Sequence, residues 1–450
     1  MSKIPSHFAD RELAIFGLGY VGLTLAVAMA ETGFRVHAVE INPAVIDSVS
    51  RGKAHFSEYG LDARLAAQVA KGAITVSDDP TTAKDANAFI VTVGTPIDGD
   101  KRTKFGALEN VLGQIAKVMR DGSLVILRST VRVGTTEEVA KPVLAASGKS
   151  FDLAFCPERT LEGKALSELV SLPQIVGGVD AHATFRAAQL FSLITPTIIR
   201  VGNAATAEMV KLVNNTQRDL LFAFANEIAG ACDALGISAH EVITSGNVGY
   251  ARSTMPLPGP VGGPCLEKDP YILAEGLERF AYAPKIALTA RALNEDLPDR
   301  SARQMLEEFA GEMPKRIAIL GLAFKGRPET DDLRGTMALP LIAALRAHVP
   351  DAEIVGWDPV VKPDVARREL GIDIAGTAGE AVRDAALVIL QTNHPALESL
   401  DLAALAGTMA SPGLIYDFWN QHGQMDSFQL RPAIRYAALG GFNHKPFLEG

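Results

Sequence analysis

The stretch that decides the fold is LAIFGLGYVG at residues 13–22, which is followed by a second apolar run, VHAVE at 36–40. A short strand that runs into Gly-x-Gly-x-x-Gly and then into a helix is typical of the turn that binds a dinucleotide pyrophosphate. We therefore expect cofactor contacts from the residues of this turn, namely Gly17, Gly19, Tyr20, Val21 and Gly22.

Glu40 ends the second of these runs. A carboxylate at this position accepts hydrogen bonds from an adenosine ribose hydroxyl and repels a 2′-phosphate. The sequence therefore predicts NAD⁺ rather than NADP⁺ as the cofactor. The alternative is that Glu40 only caps the end of a strand.

Strand-like runs alternate with helical patterns on both sides of a central region. The first set continues with AFIVTV at 88–93, SLVILRS at 123–129, LAFCP from 153 and QIVGGV from 174, and the second set comprises RIAILGLAF at 316–324, EIVGWDP at 353–359, ALVILQT at 386–392 and LIYDF at 414–418. Such alternation predicts βαβ units and parallel sheets. The predicted fold is α/β, with two Rossmann-like doubly wound domains bridged by a long central helix. The predicted regions are 1–202, 203–310 and 311–450, and the alternative is one large mixed domain.

The bridging helix is predicted between Ala204 and Leu235, where no proline occurs. Apolar residues recur there with helical spacing, at Val210, Val213, Leu220, Phe224, Ile228 and Leu235. At about 1.5 Å per residue the helix is roughly 50 Å long, more than one domain needs. We therefore expect a homodimer that uses this helix.

Composition excludes several classes of function. The net charge of −9 over 450 residues opposes binding to nucleic acid or to an anionic membrane surface. The uncharged stretch 13–30 has the length of a membrane span, but a glycine-rich turn divides it, so no membrane segment is expected. Three cysteines fit neither a disulfide framework nor a zinc site, and the N-terminus lacks an apolar signal region. A cytoplasmic protein without a metal centre is predicted.

The segment GGPCLEKDP at 262–270 carries the most reactive candidate group, Cys265. Flanking glycines permit close approach of a substrate, while Lys268 and a nearby helix N-terminus favour a thiolate. Lys211 and Asn215 are four residues apart on the long helix, so they share a face. The alternatives are a buried structural thiol, a solvated helix face and, for Asp269, a simple helix cap.

Taken together, GLGYVG, STV at 129–131, PER at 157–159, the Lys-x-x-x-Asn pair, GGPCLEKD and FKGRPETDDLR at 324–334 resemble the UDP-glucose/GDP-mannose dehydrogenase family over nearly the whole chain. The resemblance implies an N-terminal NAD-binding domain, a dimer-forming central helix and a C-terminal domain that completes a UDP-sugar site. It also implies oxidation of a C6 alcohol to a carboxylate with two NAD⁺, for surface polysaccharide precursors.

Carried over by position, the resemblance assigns a role to each candidate residue. Cys265 is the implied nucleophile that traps the aldehyde, Lys211 and Asn215 steady charge on the C6 oxygen, and Asp269 is an acid/base group. Glu158 helps to activate water that Thr130 orders. Further implied cofactor contacts are Thr95, Thr130, Glu162 and Arg334, and further implied substrate contacts are Glu158, Arg159, Lys211, Asn215, Gly262, Lys325 and, across the dimer, Arg252.

Arg159 and Arg252, the latter in a Tyr-x-Arg setting, resemble the branch that acts on UDP-N-acetylhexosamines, UDP-ManNAc or UDP-GlcNAc. The chain departs from the family in a shorter glycine loop before Cys265, and in Phe418-Trp419 where relatives carry a cation near the nucleotide. Three alternatives stay open: a UDP-glucose 6-dehydrogenase, a one-step hydroxyacid or sugar-acid dehydrogenase that needs no thiol, and a catalytically silent nucleotide-sugar sensor.

Overall fold

The computed structural model describes residues 4–5, 8–309, 312–423, 430–431 and 433–442. Part of the N-terminal segment and the predicted boundary at 310 and 311 lie outside these residues. The described chain divides into two compact units, residues 1–214 with 271–284 and residues 215–270 with 285–450. The division at 202 and 310 stays a prediction.

The first unit is built on an eight-stranded sheet in the order β3-β2-β1-β4-β5-β6-β7-β8. Its strands are β1 Glu12–Phe16, β2 Arg35–Val39, β3 Ile74–Ser77, β4 Ala88–Val91, β5 Ser123–Leu127, β6 Phe151–Phe155, β7 Gln174–Gly178 and β8 Ile198–Arg200. Its helices are α1 Tyr20–Thr32, α2 Pro43–Ser50, α3 Leu61–Ala70, α4 Gly106–Val118, α5 Lys141–Ala145, α6 Ala165–Ser171 and α7 Ala181–Ser192, with short helical turns at Pro80–Ala83 and Thr136–Ala140.

Side chains alternate between the two faces of this sheet, as the period of a strand requires. In β1, Leu13 and Ile15 enter one apolar cluster, whereas Ala14 and Phe16 enter the other. Both faces are therefore covered, which is the layering expected of a parallel sheet in an α/β fold. The stretch 13–30 is split between β1 and α1, and no helix among the described residues is long and apolar enough to cross a membrane.

Two strands, β7 and β8, run against the other six. β7 pairs antiparallel with β6, while the remaining neighbours in the sheet are parallel. The segment 156–173 consequently leaves and re-enters the sheet at the same edge, where β1, β4 and β5 also end. This reversal keeps the PER turn and Glu162 at the carboxyl edge, where open α/β sheets bind ligands.

The second unit holds a six-stranded, all-parallel sheet in the order β11-β10-β9-β12-β13-β14. Its strands are β9 Arg316–Leu320, β10 Glu353–Trp357, β11 Asp373–Ile374, β12 Leu387–Leu390, β13 Gly413–Asp417 and β14 Ile434–Ala438. The remaining helices of the described chain are α8 Ala204–Leu235, α9 Ala239–Asn247, α10 Gly263–Leu266, α11 Asp269–Glu278, α12 Lys285–Glu307, α13 Ala338–His348, α14 Pro363–Leu370, α15 Ala378–Val382, α16 Pro395–Glu398 and α17 Leu402–Ala406. The predicted fold, two Rossmann-like sheets and a long central helix, is confirmed.

Candidate active site

The glycine turn after β1 has the geometry that its sequence predicts. Gly17 adopts φ +92°, which favours glycine. A Cβ at Gly22 would lie 1.9 Å from the Gly17 carbonyl oxygen, so only glycine lets α1 pack on this turn. A Cβ at Gly19, by contrast, would meet nothing within 4 Å. The space beside Gly19, at the start of α1, fits a pyrophosphate on a helix N-terminus.

Glu40 lies directly after β2 and holds this turn. Its Oε2 accepts from the Leu18 N–H (2.7 Å), and its Oε1 accepts from the N–H groups of Ile41 (2.8 Å) and Asn42 (2.9 Å). Glu40 therefore does cap the turn between β1 and α1. Capping also fixes the carboxylate at the edge of the turn, where a ribose is expected.

Tyr20 has a second task besides its place in the turn. Its hydroxyl donates to the Glu58 carboxylate and accepts from the Gly163 N–H (2.8 Å). Burial, followed by the hydrogen bond to Glu58, raises the pKa of this phenol well above its ordinary value, and the charge of Glu162 adds to the rise. Tyr20 and Glu58 thus fasten the segment that carries Glu162 beside the glycine turn.

Thr95 and Thr130 are brought together at the ends of neighbouring strands. The Thr95 hydroxyl donates to the Thr130 carbonyl oxygen, and Thr95 is buried. Thr95 follows β4 and Thr130 follows β5, which are adjacent and parallel. Both residues therefore lie at the carboxyl edge where the cofactor turn also lies.

Glu158 is buried against an arginine that the sequence analysis did not single out. Arg128 donates to Glu158 Oε2 through Nε (3.0 Å) and also through Nη2. The other carboxylate oxygen accepts from the N–H groups of Arg159 (2.7 Å) and Thr160 (2.8 Å). Burial pushes the pKa of Glu158 upward, but the charge of Arg128, the Thr160 N–H and the charge of Lys211 outweigh it, so the pKa is lowered. Glu158 is a buried anion beside Lys211.

Arg128 also explains how the PER turn is held. Its Nη1 donates to the Cys156 carbonyl (3.1 Å) and to Gln174 Oε1 (2.8 Å), and Gln174 Nε2 in turn donates to the Pro157 carbonyl (3.1 Å). The sequence signal for Arg128 was a single charge at the end of the apolar run SLVIL. Glu58, the partner of Tyr20, had no comparable signal, because it lies in a loop with ordinary polar composition.

The side chain of Arg159 contacts another residue of the first unit. Its guanidinium donates to the Pro173 carbonyl oxygen, and burial lowers its pKa. The residue thereby closes the turn between β6 and β7. Its contact with a substrate stays a prediction.

Asn215 and Asp269 meet directly. Asn215 Nδ2 donates to Asp269 Oδ2 (2.6 Å), and both side chains are buried. Lys211, one helical turn before Asn215 on α8, is buried as well, which rules out the solvated face that was the alternative for this pair. Asp269 begins α11, and its bond to a side chain on another helix goes beyond a cap.

Cys265 is exposed in α10, the short helix at the end of residues 259–266, a segment that we call the thiol loop. A Cβ at Gly262 would lie 2.1 Å from the Gly335 carbonyl oxygen, and one at Gly263 would lie 2.4 Å from the Phe324 ring. The Gly263 N–H donates to the Gly335 carbonyl oxygen (2.7 Å). The other two cysteines, Cys156 and Cys232, are buried, so Cys265 is the accessible thiol of the three.

These contacts bring the segment after β9 against the thiol loop. Lys325 lies within it, with its ammonium 5.2 Å from the Phe324 ring centroid. Arg334 folds onto Asp332, donating through Nε (3.0 and 2.9 Å) and Nη2 (2.5 Å). Lys325 is thus near the loop that carries Cys265, whereas the guanidinium of Arg334 is engaged with a carboxylate.

Arg252 and Trp419 complete the set. Arg252 is exposed and stacks on Tyr250, 4.7 Å from the ring centroid, with a hydrogen bond from Nε to the Tyr250 hydroxyl (3.1 Å). Trp419 covers Gly259, because a Cβ at Gly259 would lie 2.7 Å from the indole ring. The aromatic residue that departs from the family pattern therefore buttresses the start of the thiol loop.

No group of three or more His, Cys, Asp or Glu side chains in the described part of the chain is arranged to hold a metal ion.

The sequence matches the UDP-glucose/GDP-mannose dehydrogenase family in three successive segments. Residues 11–195 match its NAD-binding domain, residues 205–296 its central domain and residues 318–424 its UDP-binding domain. The glycine turn, Glu40 and the edge residues Thr95 and Thr130 all lie in the first of these segments.

Individual relatives resemble the chain over most of its length. A UDP-N-acetyl-D-mannosamine dehydrogenase of Pyrococcus horikoshii is 35% identical over 88% of this chain and 93% of its own. One of Campylobacter jejuni is 35% identical over 78% of this chain and 87% of its own. The solved structure of the UDP-D-ManNAc dehydrogenase from Pyrococcus horikoshii superposes with a TM-score of 0.85 at 31% identity, over 96% of this chain and 100% of that one.

Proposed function

The chain belongs to the UDP-glucose/GDP-mannose dehydrogenase family, and on that premise we propose that it oxidises the C6 alcohol of a UDP-N-acetylhexosamine to the carboxylate. Membership makes it an NAD-dependent nucleotide-sugar dehydrogenase. The observation that supports this chemistry is the exposed thiol of Cys265, which lies in a loop whose glycines make close contacts with neighbouring residues. The similarity to UDP-N-acetyl-D-mannosamine dehydrogenases favours UDP-ManNAc as the first substrate to test, with UDP-GlcNAc second.

Polar groups on and beside α8 serve the first oxidation. Lys211 and Asn215, one turn apart, would face the C6 oxygen, where a cation and an amide stabilise developing negative charge. Asp269, fixed by Asn215, would take the hydroxyl proton. NAD⁺, held by the glycine turn, Glu40, Thr95 and Glu162, supplies the hydride acceptor for both oxidations.

The second oxidation needs a covalent intermediate. The Cys265 thiolate would add to the C6 aldehyde, and the resulting thiohemiacetal loses a second hydride to become a thioester. Water then releases the acid and restores the thiol. Because its pKa is lowered, Glu158 would act as a hydrogen-bond acceptor for this water and not as a strong base, and Thr130 would help to order the water.

An apolar face of α8 supports the homodimer. Val213, Phe224 and Leu235 are 42%, 47% and 72% exposed, and their spacing places them on one side of the helix. Leu220 and Ile228 on the same side are partly exposed. We propose that a second copy of the chain covers this face and that Arg252 reaches the partner's substrate. We propose a cytoplasmic location, where cysteine thiols such as these three stay reduced.

A substrate panel with a count of NADH per sugar tests the proposal. The panel holds UDP-ManNAc, UDP-GlcNAc, UDP-glucose and GDP-mannose. The expected result is two NADH per sugar and the highest kcat/KM for a UDP-N-acetylhexosamine. A higher kcat/KM for UDP-glucose would overturn the substrate, one NADH per sugar would favour the one-step dehydrogenase, and no turnover with any of the four would favour the sensor.

The variant Cys265→Ser tests the thiol. A serine hydroxyl is a far weaker nucleophile than a thiolate at neutral pH, so the variant should form about one NADH per sugar and stall at the aldehyde. Two NADH per sugar at near wild-type rate would rule the thiol mechanism out.

Light scattering of wild type and Phe224→Glu tests the dimer, because a charge on the apolar face should yield monomers.

A further inference from the structure

A buried arginine lies beneath the thiol loop. Arg291 on α12 is 0% exposed, and its guanidinium donates to two backbone carbonyls, through Nη1 to Leu266 (3.1 Å) and through Nη2 to Val261 (3.1 Å). The two carbonyls stand on either side of Cys265 in the chain. Because a guanidinium is planar and rigid, one side chain fixes the separation of both ends of the loop.

Asp219 on α8 holds this arginine in place. Arg291 Nη1 donates to Asp219 Oδ1 (2.7 Å), and both side chains are 1% exposed. Asn294 Nδ2 donates to the same oxygen (2.9 Å) and to the Asp219 carbonyl (3.0 Å). Burial raises the pKa of Asp219, and the charge of Arg291 opposes the rise. A buried pair of this kind is costly to form and more costly to break, which points to a task beyond stability.

A second contact grips the loop further upstream. Asn226 Nδ2 donates to the Gly259 carbonyl (3.1 Å), and the Gly259 N–H donates back to Asn226 Oδ1 (2.8 Å). Asn226 also donates to Asn294 Oδ1 (3.0 Å), which joins it to the arginine. One polar network on α8 and α12 therefore holds the chain at Gly259, Val261 and Leu266.

A further set of contacts joins the loop to the segment after β9, through Gly262 and Gly263. Two sets of contacts thus hold the loop, and Cys265 within it is exposed. We propose that Arg291, anchored by Asp219 and acting together with Asn226 in this network, is a positioning residue that presents the Cys265 thiol for capture of the aldehyde. This inference rests on the proposed function, because it assigns a purpose to a thiol that acts as the nucleophile.

The test compares Arg291→Lys with Arg303→Lys in the full-length enzyme. Lysine keeps the buried charge but cannot donate to two carbonyls and a carboxylate in one plane. Arg303 is the matched control, since it lies on the same helix and pairs with Asp299 at the surface (3.1 Å). Small misplacements of a reacting group reduce rates by up to about 100-fold. Arg291→Lys should lower kcat by about 10- to 100-fold with little change in KM for sugar or NAD⁺.

Two readouts separate positioning from a general loss of stability. NADH per sugar should fall below two in Arg291→Lys, with aldehyde trapped by a hydrazide reagent, because uncaptured aldehyde escapes. Alkylation of Cys265 by iodoacetamide, followed by peptide mass spectrometry without any sugar, should slow by at least about threefold. Arg303→Lys should behave as wild type in both. Two NADH per sugar and wild-type alkylation in Arg291→Lys would overturn the proposal.

A second variant keeps the test decisive if Arg291→Lys does not fold. Asn226→Ser removes the paired hydrogen bonds to Gly259 without unpairing a buried charge, and it should change the same two readouts in the same direction. Wild-type values for that variant would equally overturn the proposal. The alkylation assay needs no turnover, so it can fail or succeed independently of the proposed function, which the NADH count of the wild-type enzyme tests.

Discussion

The two sheets begin with the same turn but use it differently. After β1, Gly17 adopts φ +92° and its N–H donates to the Val39 carbonyl (2.9 Å). After β9, Gly321 adopts φ +86° and its N–H donates to the Trp357 carbonyl (2.8 Å). In both cases the first strand of a βαβ unit ends in a left-handed glycine that the neighbouring strand holds.

The likeness extends to a carboxylate at the end of that neighbouring strand. Glu40 accepts from the Leu18 N–H at 2.7 Å, and Asp358 accepts from the Leu322 N–H at 2.6 Å. In each residue the second oxygen accepts from two further backbone N–H groups just downstream. Capping of the turn is therefore a property of this βαβ geometry, and the proposed recognition of a ribose by Glu40 would be an addition to it.

The difference lies in the segment on the C-terminal side of each turn. In the first unit α1 begins at Tyr20, so a helix N-terminus faces the open space beside Gly19. In the second unit Ala323 occupies the position equivalent to Gly19, and α13 does not begin until Ala338. The intervening segment packs on the thiol loop instead. The first turn thus leaves open space at a helix N-terminus, whereas the second turn leads into a segment that supports the loop around Cys265.

The largest expected effect comes from the last glycine of each turn. A Cβ at Gly22 would lie 1.9 Å from the Gly17 carbonyl oxygen, and one at Gly326 would lie 2.2 Å from the backbone nitrogen of His394. Backbone atoms cannot move aside cheaply, so Gly22→Ala and Gly326→Ala should each cost about 3 kcal/mol or more of unfolding free energy. Thermal unfolding measures the loss. A wild-type Tm in either variant would show that the two turns do not share this constraint.

Gly19→Ala converts the first turn to the composition of the second. Nothing lies within 4 Å of the added Cβ, so the free energy of unfolding, measured by thermal unfolding, should stay within about 0.5 kcal/mol of the wild-type value. The methyl group would occupy the space for the pyrophosphate, and the Kd for NAD⁺ should rise at least about tenfold, or about 1.4 kcal/mol. Calorimetric titration with NAD⁺ provides the measurement. Unchanged affinity would place the dinucleotide elsewhere.

Removing the two capping carboxylates should separate capping from ribose recognition. Asp358→Ala leaves several N–H groups without their charged acceptor and should cost about 2–3 kcal/mol of stability, with KM for NAD⁺ unchanged. Glu40→Ala should show a similar loss together with a higher KM for NAD⁺ and weaker discrimination against NADP⁺. Equal effects of both variants on KM would contradict the distinction between the two turns.

Glu158 extends the comparison to a capping carboxylate that is buried beside an arginine. Its folded-state pKa is lowered, so its stabilising contribution is full above the ordinary glutamate pKa of about 4.3 and is lost as pH falls through the folded value. Glu158→Gln should therefore be less stable than wild type at neutral pH, and the difference should shrink below about pH 4. Thermal unfolding between pH 7 and about pH 3 would show it. A stability difference that does not change with pH would mean that Glu158 acts only through the shape of its side chain and not through its charge.

Local patterns were sufficient for most of the fold. The strand runs at 13–17, 36–40 and 316–320 and the helix from Ala204 to Leu235 are apolar, periodic and bounded by glycine or proline, so sequence and structure agree closely there. The strands β3, β8, β11 and β14 were not predicted. They lie at or near the sheet edges, where one side is open and a strand needs fewer apolar residues.

The sequence by itself determined the α/β class, the glycine turn after β1, the long helix and the candidate thiol, Cys265, because each depends on residues adjacent in the chain or one helical turn apart. Tertiary structure alone decided the reversal of β7 and β8, the burial of Glu158 against Arg128 and the hydrogen bonds of Arg291 to the loop around Cys265. The hydrogen bonds of these two arginines join residues 25 and 30 positions apart, and an isolated arginine or glutamate in the sequence carries no sign of its partner. A buried charge is stable only when a group from elsewhere in the chain pairs or hydrogen-bonds with it, and only the folded chain decides which groups meet.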